Sequence, residues 1–198
     1  MRYRSGDDFT LLAVCTGNIC RSPAIERLFR SVFTDGSGIV VHSAGTGALV
    51  GEPIQPPMAT LLHRHSVAAD GFSARSVTQG LVDSADLVLT ATRSHRGKVV
   101  DQAPAAVRRT FTLREFARLT AEVDPVQLEE AAGPGARPSE RLAALVPLAA
   151  AHRKQVDRGL DDIADPYRQS DEVYAESFEQ IIEAARAVAR AVLVVPDQ

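Results

Sequence analysis

A seven-residue motif joins an apolar run to a segment with helical spacing: residues 15 to 21 read Cys-Thr-Gly-Asn-Ile-Cys-Arg. Before it, Phe9 to Val14 is a short, nearly continuous apolar run, as in a central strand of a parallel sheet. After it, Ser22 can cap a helix whose first position is Pro23, and apolar residues follow at helical spacing. The chain is therefore restricted to folds in which a tight loop connects a buried strand to a helix.

The rest of the chain alternates between strand-like and helix-like segments. Further strands are predicted at residues 39–42, 86–90 and 109–112. Helices are predicted at residues 57–65, 75–81, 94–101 (with Ser94 as its cap) and from Ser170 onward. The last helix has an apolar stripe formed by Tyr174, Phe178, Ile181, Ala185, Val188 and Val192. This alternation predicts an α/β fold with a parallel sheet, in which a site forms beyond the carboxyl ends of the strands, where Cys15 lies.

Residues 121–157 differ in composition from the rest of the chain. They contain two candidate helices around a loop at residues 133–138, and Pro147 is expected to interrupt the second helix. We interpret the chain as a single domain, residues 1–198, with a helical insertion at residues 121–157. The segment can serve as a lid or as plain surface packing, and plain packing is the simpler interpretation.

Composition excludes several functional classes. The formal net charge is −3, so no basic field is available to bind nucleic acid or an anionic membrane surface. No apolar run approaches the length of a membrane span, and residues 1–9 lack the apolar core of a secretory signal. Two cysteines cannot supply a disulfide framework, so we expect a reducing, cytoplasmic compartment. No pattern bears on the oligomeric state.

The motif contains the parts of a site that binds an oxyanion and attacks it. Cys15 is the candidate nucleophile, and its thiolate form is favoured by the following helix N-terminus, by Arg21 and by the Ser22 hydroxyl. The backbone N–H groups from Thr16 to Cys20 can form an anion nest. The planar guanidinium of Arg21 matches two oxygens of a phosphate.

Two residues permit the tight curvature of this loop. Gly17 accepts a positive φ, and Asn18 tolerates one better than most residues and can brace the loop through its side chain. A lone cysteine at a strand end would be a small buried residue, but the accompanying glycine, asparagine, arginine and serine favour chemistry. Cys15 and Cys20 lack a second pair at ligand spacing, so no metal site is expected. The five histidines show no convergent pattern and are expected at the surface or in the core.

Breaking a phosphate ester also needs an acid that protonates the leaving oxygen. The best candidate is Asp165, which precedes Pro166 and Tyr167, while Asp161 and Asp162 are nearby alternatives. An Asp-Pro pair alone is a common turn, and only its combination with the Cys15 loop suggests a catalytic role.

At these residues the chain resembles the low-molecular-weight protein tyrosine phosphatases, and among them the bacterial branch. The resemblance rests on Val14 to Pro23, on the Ser-Ala-Gly-Thr sequence at residues 43–46 and on Asp-Pro-Tyr at residues 165–167. It extends over roughly residues 10–119 and 161–193. It implies a four-stranded parallel sheet flanked by helices on both faces.

The resemblance also implies a reaction. Cys15 would form a phosphocysteine by attacking a phosphotyrosine-containing protein, Arg21 would hold the phosphoryl oxygens and Asp165 would protonate the leaving group. No metal or organic cofactor is implied. Phosphate and substrate contacts would come from Thr16, Gly17, Asn18, Ile19, Cys20, Ser22 and Tyr167.

Within the family, Cys20 occupies a position that can form a reversible disulfide with the nucleophile, which would protect Cys15 from irreversible oxidation. Ile19 would lie beside the substrate ring, and an apolar residue there favours phosphotyrosine over phosphoarginine. Two alternatives stay open: an arsenate reductase that uses an external thiol, and a non-catalytic module that binds phosphoproteins.

Overall fold

The centre of the molecule is a sheet of four parallel strands, seen in a computed structural model that describes residues 7–153 and 158–193. The strands are β1 (Phe9–Cys15), β2 (Ile39–Gly45), β3 (Leu87–Thr90) and β4 (Thr110–Thr112). Their order across the sheet is β2-β1-β3-β4, and each neighbouring pair is parallel. The predicted four-stranded parallel sheet is confirmed. Residues 1–6, 154–157 and 194–198, which include the end of the predicted insertion, lie outside the described residues.

Helices connect and cover the strands. The first four are α1 (Arg21–Val32), α2 (Pro56–Arg64), α3 (Gln79–Ser84) and α4 (Arg93–Gln102). The others are α5 (Leu113–Thr120), α6 (Pro125–Ala132), α7 (Pro138–Ala151) and α8 (Asp171–Val192). Short 3₁₀ helices occupy Pro104–Arg109 and Arg158–Leu160. None of the described helices is both long enough and apolar enough to span a bilayer.

The two faces of the sheet bury separate apolar cores, as expected of a central parallel strand. On β1, Leu11 and Ala13 pack into the larger core, which α1, α5, α7 and α8 cover. The alternate residues Leu12 and Val14 pack into a smaller core on the other face, to which α3 and α4 contribute. The complete apolar stripe predicted for α8 is buried in the structure.

Two helix starts differ from the prediction. Helix α1 begins at Arg21, so Ser22 lies inside its first turn and does not act as the cap. Its hydroxyl lies 3.0 Å from the sulfur of Cys15 instead. Helix α4 is capped by Thr92, whose hydroxyl accepts from the His95 N–H, and not by Ser94. At α4 the cap therefore lies two residues earlier than predicted, and at α1 the predicted cap residue contacts Cys15 instead.

The predicted helix at residues 75–81 is wrong over most of its length. Ser76 forms a parallel bridge with Gly45, so this stretch extends the pairing at the end of β2. Helix α3 begins only at Gln79, after Thr78 accepts a hydrogen bond from the N–H of Leu81. Backbone pairing with a distant segment overrides the weak local helical preference.

The described part of the predicted insertion, residues 121–153, consists mainly of α6 and α7. Pro147 lies inside α7 and does not interrupt it, contrary to the prediction. The N–H of Ser139 donates to the carbonyl of Ser37, just before β2, so α7 begins at the amino-terminal edge of the sheet. Cys15 lies at the opposite edge. Leu142, Leu145 and Ala149 of α7 are fully buried in the larger core, so this helix is part of the packed fold at the edge of the sheet opposite Cys15.

Candidate active site

The loop between β1 and α1 is held from outside by its carbonyl groups. Four consecutive or nearly consecutive carbonyls accept backbone hydrogen bonds of 2.8–3.0 Å from the segment that follows β2. The N–H groups of Thr46, Gly47, Leu49 and Gln55 donate, in that order, to the carbonyls of Cys15, Thr16, Gly17 and Ile19. The register of the sheet makes these bonds possible, because Cys15 on β1 lies directly beside Gly45 on β2.

The direction of these carbonyls determines the direction of the N–H groups. In a trans peptide the carbonyl of one residue and the N–H of the next point to opposite sides. Residues 16, 17, 18 and 20 therefore turn their N–H groups away from the segment that follows β2. Among the described residues, no hydrogen-bond acceptor pairs with the N–H groups of residues 16–20. This is the arrangement of an anion nest, at the positive end of α1.

Cys15 lies at the end of β1, and the residue is 3% exposed. The hydroxyl of Ser22 is 3.0 Å from its sulfur and accepts a hydrogen bond from the side-chain amide of Asn18, at 2.9 Å. The single hydrogen of this hydroxyl can go to the sulfur or to the carbonyl of Ala44, at 3.4 Å, and a negative charge on the sulfur favours the first, so Ser22 can stabilise that charge.

Asn18 is the centre of a buried hydrogen-bond network beneath the loop. It is fully buried and adopts a φ of 55°, a conformation that few residues other than glycine tolerate. Its amide group also donates to the Ser43 hydroxyl, and its carbonyl accepts from the N–H of Arg75, both at 2.9 Å. Ser43 in turn donates to the buried carboxylate of Glu26 at 2.5 Å. The network links the nucleophile's hydroxyl partner to β2 and α1, which holds the loop in one conformation.

Arg21 and Asp165 form an ion pair in which the Nη2 atom lies 2.8 Å from the carboxylate. The Arg21 side chain is 5% exposed, whereas that of Asp165 is 58% exposed. The same guanidinium donates to the carbonyl of Ile163 at 3.3 Å. Since the N–H of Ile163 donates to Ala91, just after β3, the Asp165 segment is anchored at the carboxyl edge of the sheet.

The two alternative aspartates are engaged elsewhere. Asp161 is 2% exposed and pairs with Arg93 at 2.6 Å and with Arg118 at 3.3 Å. Asp162 accepts from the backbone N–H of Arg93 at 2.7 Å, at the start of α4. Among the three candidates, only Asp165 lines the pocket that contains Cys15.

That pocket has a volume of about 160 Å³. Its lining residues are Cys15, Thr16, Gly17, Ile19, Cys20, Arg21, Gly47, Leu49, Asp165 and Tyr167. A larger cavity of about 500 Å³ lies at the amino-terminal edge of the sheet, between α7 and the start of β1. No cysteine lines the larger cavity, so the candidate nucleophile, and not the cavity size, points to the smaller pocket as the site.

Eight of the ten residues predicted for the site line this pocket, while Asn18 and Ser22 lie behind the loop. The turn at residues 43–47, whose glycines were expected to shape a turn along the rim of the site, contributes Gly47 to the pocket, whereas Leu49 was not predicted. The sequence also did not indicate the supporting roles of Glu26, Ser43 and Arg75, although Glu26 follows Ser22 by four residues and so shares its helix face.

His95 is a core histidine that contacts the loop. Its Nε2 lies 2.8 Å from the Thr16 hydroxyl and its Nδ1 lies 2.7 Å from the Thr92 hydroxyl. Burial lowers the pKa of His95 to about 4, and the positive charges of Arg21 and Lys98 act in the same direction. The ring is therefore neutral at physiological pH and ties Thr16 to α4.

Cys20 lies on the loop with its sulfur 3.7 Å from the hydroxyl of Tyr174. Burial raises the pKa of the Cys20 thiol to about 11, which keeps it protonated near neutral pH. Both cysteines are free thiols in the structure. Among the described residues, no three histidine, cysteine, aspartate or glutamate side chains converge as a metal-binding group.

Comparison with known proteins extends these observations. Residues 10–132 match the family model described as low molecular weight phosphotyrosine protein phosphatase. The chain is 37% identical over 94 residues to the low molecular weight protein-tyrosine-phosphatase Wzb of Escherichia coli K12, covering 48% of this chain. The matched region spans 62% of the length of that Wzb. A probable phosphatase of the same kind, EpsP of Ralstonia nicotianae, is 36% identical over 107 residues, covering 54% of this chain and 72% of its own.

Solved structures show the same fold. The tyrosine phosphatase AmsI of Erwinia amylovora superposes with a TM-score of 0.67 at 22% identity, over 96% of this chain and 97% of that one. Vibrio vulnificus Wzb in complex with benzylphosphonate superposes with a TM-score of 0.66 at 25% identity, over 92% of this chain and 97% of that one.

Proposed function

Because this chain belongs to the low molecular weight phosphotyrosine protein phosphatase family, we propose that it hydrolyses phosphotyrosine in proteins through a phosphocysteine intermediate. The observation that best supports the proposal is the ion pair between Arg21 and Asp165 in the pocket that contains Cys15, with 2.8 Å between the guanidinium nitrogen and the carboxylate oxygen. A nucleophile, an oxyanion clamp and an acid from distant parts of the chain thus share one small site.

In the first step, the thiolate of Cys15 forms a bond to phosphorus while the bond from phosphorus to the tyrosine oxygen breaks. Asp165 gives its proton to that oxygen, so tyrosine leaves as a neutral phenol. The free N–H groups of the loop and the guanidinium of Arg21 stabilise the negative charge on the phosphoryl oxygens. Phosphate binding draws Arg21 toward these oxygens, which frees the exposed carboxylate of Asp165 to take up from solvent the proton that it then donates.

In the second step, water attacks phosphorus and the sulfur–phosphorus bond breaks. The carboxylate of Asp165 takes a proton from the water, and inorganic phosphate leaves. The sulfur of Cys15 leaves as a thiolate, which the hydroxyl of Ser22 stabilises at 3.0 Å.

The walls of the pocket favour an aromatic ester. Ile19 and Leu49 are apolar, and Tyr167, which is 37% exposed, supplies an aromatic ring. Benzylphosphonate, the ligand in the Vibrio vulnificus relative, carries a phosphonate group beside an aromatic ring. A site of this shape suits phosphotyrosine better than the shorter phosphoserine.

We extend the proposal to the organisation of the chain. Residues 1–198 form one phosphatase domain, and residues 121–157 are a helical insertion in it. None of residues 121–153 lines the pocket that contains Cys15, which supports a packing role for the described part of this segment.

The test is a turnover panel with phosphotyrosine, phosphoserine, phosphoarginine and arsenate, run in a chelator with wild type and Cys15→Ser. We expect hydrolysis of phosphotyrosine by wild type and none by Cys15→Ser. Activity that survives in Cys15→Ser would exclude the proposed nucleophile. Thiol-dependent arsenate turnover well above ester hydrolysis would favour a reductase, and tight phosphopeptide binding without turnover would favour a binding module.

The role of Asp165 has a separate test. Asp165→Asn should slow release of a phenol with a high pKa much more than release of one with a low pKa, because only the first needs protonation. Equal losses for both phenols would remove Asp165 from the acid role.

A further inference from the structure

The turn that follows Asp165 holds an arginine in an unfavourable backbone conformation. The N–H of Gln169 donates to the carbonyl of Pro166 at 2.9 Å, which closes a four-residue turn. Arg168, the third residue of that turn, has a φ of 61°. This is the geometry of a type II turn, whose third position favours glycine or asparagine. A long, charged side chain therefore occupies a position that the backbone disfavours, and such outliers suggest a function.

The position of the side chain connects it to the candidate site. The guanidinium carbon of Arg168 lies 5.1 Å from the centre of the Tyr167 ring, within the range of a cation–π contact. Tyr167 in turn lines the pocket that contains Cys15. The Tyr167 ring thus lines the pocket and also contacts the positively charged guanidinium of Arg168.

Among the described residues, no carboxylate forms an ion pair with Arg168 within 4.0 Å, and its guanidinium donates no hydrogen bond to any of them. Asp165, the acidic residue that lines the pocket, is already paired with Arg21. Glu172, at the start of α8, is hydrogen-bonded to Ser170.

The size of the pocket places the neighbours of a bound phosphotyrosine outside it. A volume of about 160 Å³ holds one side chain, so the flanking residues of the substrate lie over the rim. In an extended peptide, successive residues are about 3.3–3.6 Å apart. A side chain one or two residues from the phosphotyrosine can therefore reach the guanidinium of Arg168.

Resting on the proposed phosphatase function, we propose that Arg168 selects phosphotyrosine substrates with an anionic side chain one or two residues from the phosphotyrosine. The guanidinium pairs with that anion at the rim, while Tyr167 holds it in place. Arg168 is thus a specificity residue and takes no part in the bond-breaking steps. The competing explanation is that the turn only positions Tyr167.

The experiment compares two phosphotyrosine peptides that differ only in their flanking residues, glutamate in one and glutamine in the other. The variants are Arg168→Asn, which suits the positive φ, and Arg168→Lys, which keeps the charge. The control is Arg186→Gln, which changes the net charge equally from an exposed site about 22 Å along α8 from its start. The ratio of kcat/KM for the two peptides is measured for each protein.

We expect wild type to prefer the glutamate peptide by about three- to fivefold, the size of one exposed ion pair. Arg168→Asn should lose this preference, Arg168→Lys should keep most of it and Arg186→Gln should not change it. The preference should also shrink as salt rises from 50 to 500 mM. A ratio that is the same in wild type and Arg168→Asn overturns the inference, and so does an equal loss in Arg186→Gln.

Two further measurements keep the outcomes distinct. If Arg168→Asn fails to fold, Arg168→Gly replaces it in the comparison. Arg168→Gly should raise the denaturant midpoint, because glycine adopts a positive φ without steric strain. If wild type hydrolyses neither peptide nor a simple aryl phosphate, the proposed function fails, whereas turnover without a peptide preference rejects only the role of Arg168.

Discussion

Replacing Asn18 with alanine tests whether the buried network holds the phosphate loop in place. The change removes three hydrogen bonds, to Ser22, Ser43 and the N–H of Arg75. Each is worth about 1 kcal/mol net. Alanine at a φ of 55° adds about 1 kcal/mol. The free energy of unfolding should therefore fall by about 4 kcal/mol.

Catalysis should suffer as well, although Asn18 does not line the pocket. Without the network the loop no longer presents its N–H groups and Cys15 in one geometry, and a misplacement of about 1 Å can cost on the order of 100-fold in rate. We expect the loss mainly in kcat, because the charge of Arg21 still attracts the substrate.

Urea denaturation and steady-state kinetics with an aryl phosphate measure both effects. Ser43→Ala removes two hydrogen bonds of the same network and should cost about 2 kcal/mol. Thr60→Ala removes one exposed hydrogen bond on α2 and should stay within about 0.5 kcal/mol of wild type. If Asn18→Ala unfolds within about 1 kcal/mol of wild type and keeps half of its kcat, the network does not support the loop as described.

Three other changes probe the site. Since the folded state holds the pKa of His95 at about 4 against 6.5 when exposed, only the unfolded state gains a proton as pH falls from 6.5 to 4. The free energy of unfolding should therefore decrease over that range by at most about 3 kcal/mol, and by less to the extent that solvent screens the ring. Urea titrations at several pH values should show a shallower decrease for His95→Gln than for wild type. Gly45→Ala would place a Cβ 2.2 Å from the carbonyl oxygen of Thr16, so thermal melts should show a loss of at least about 2 kcal/mol, and an unchanged melt would contradict this close approach. Arg21→Lys keeps the charge but loses the planar fork, so kcat/KM should drop on the order of 100-fold in a protein that circular dichroism shows to be folded.

The family of the chain could be predicted from contiguous residues. Residues 15–21 indicate the family because one loop contains the anion-binding N–H groups, the helix N-terminus and the candidate nucleophile. Local backbone geometry decides how these parts are arranged. The parallel sheet followed from alternating apolar runs for a similar reason. Two predictions failed where a helical preference competed with a partner outside the helix: Ser22 contacts the sulfur of Cys15 in the preceding loop, and Ser76 pairs with the distant Gly45.

The sequence by itself determined the loop, the candidate nucleophile and the order of strands and helices along the chain. Only the tertiary structure decided which distant residues serve that loop: Asn18 meets Ser43 and Arg75, Thr16 meets His95. It also decided that Asp165, and not Asp161, reaches Arg21. These contacts depend on the order and register of the strands, which bring the carboxyl ends of β1, β2 and β3 together, and no local pattern in the chain encodes that proximity.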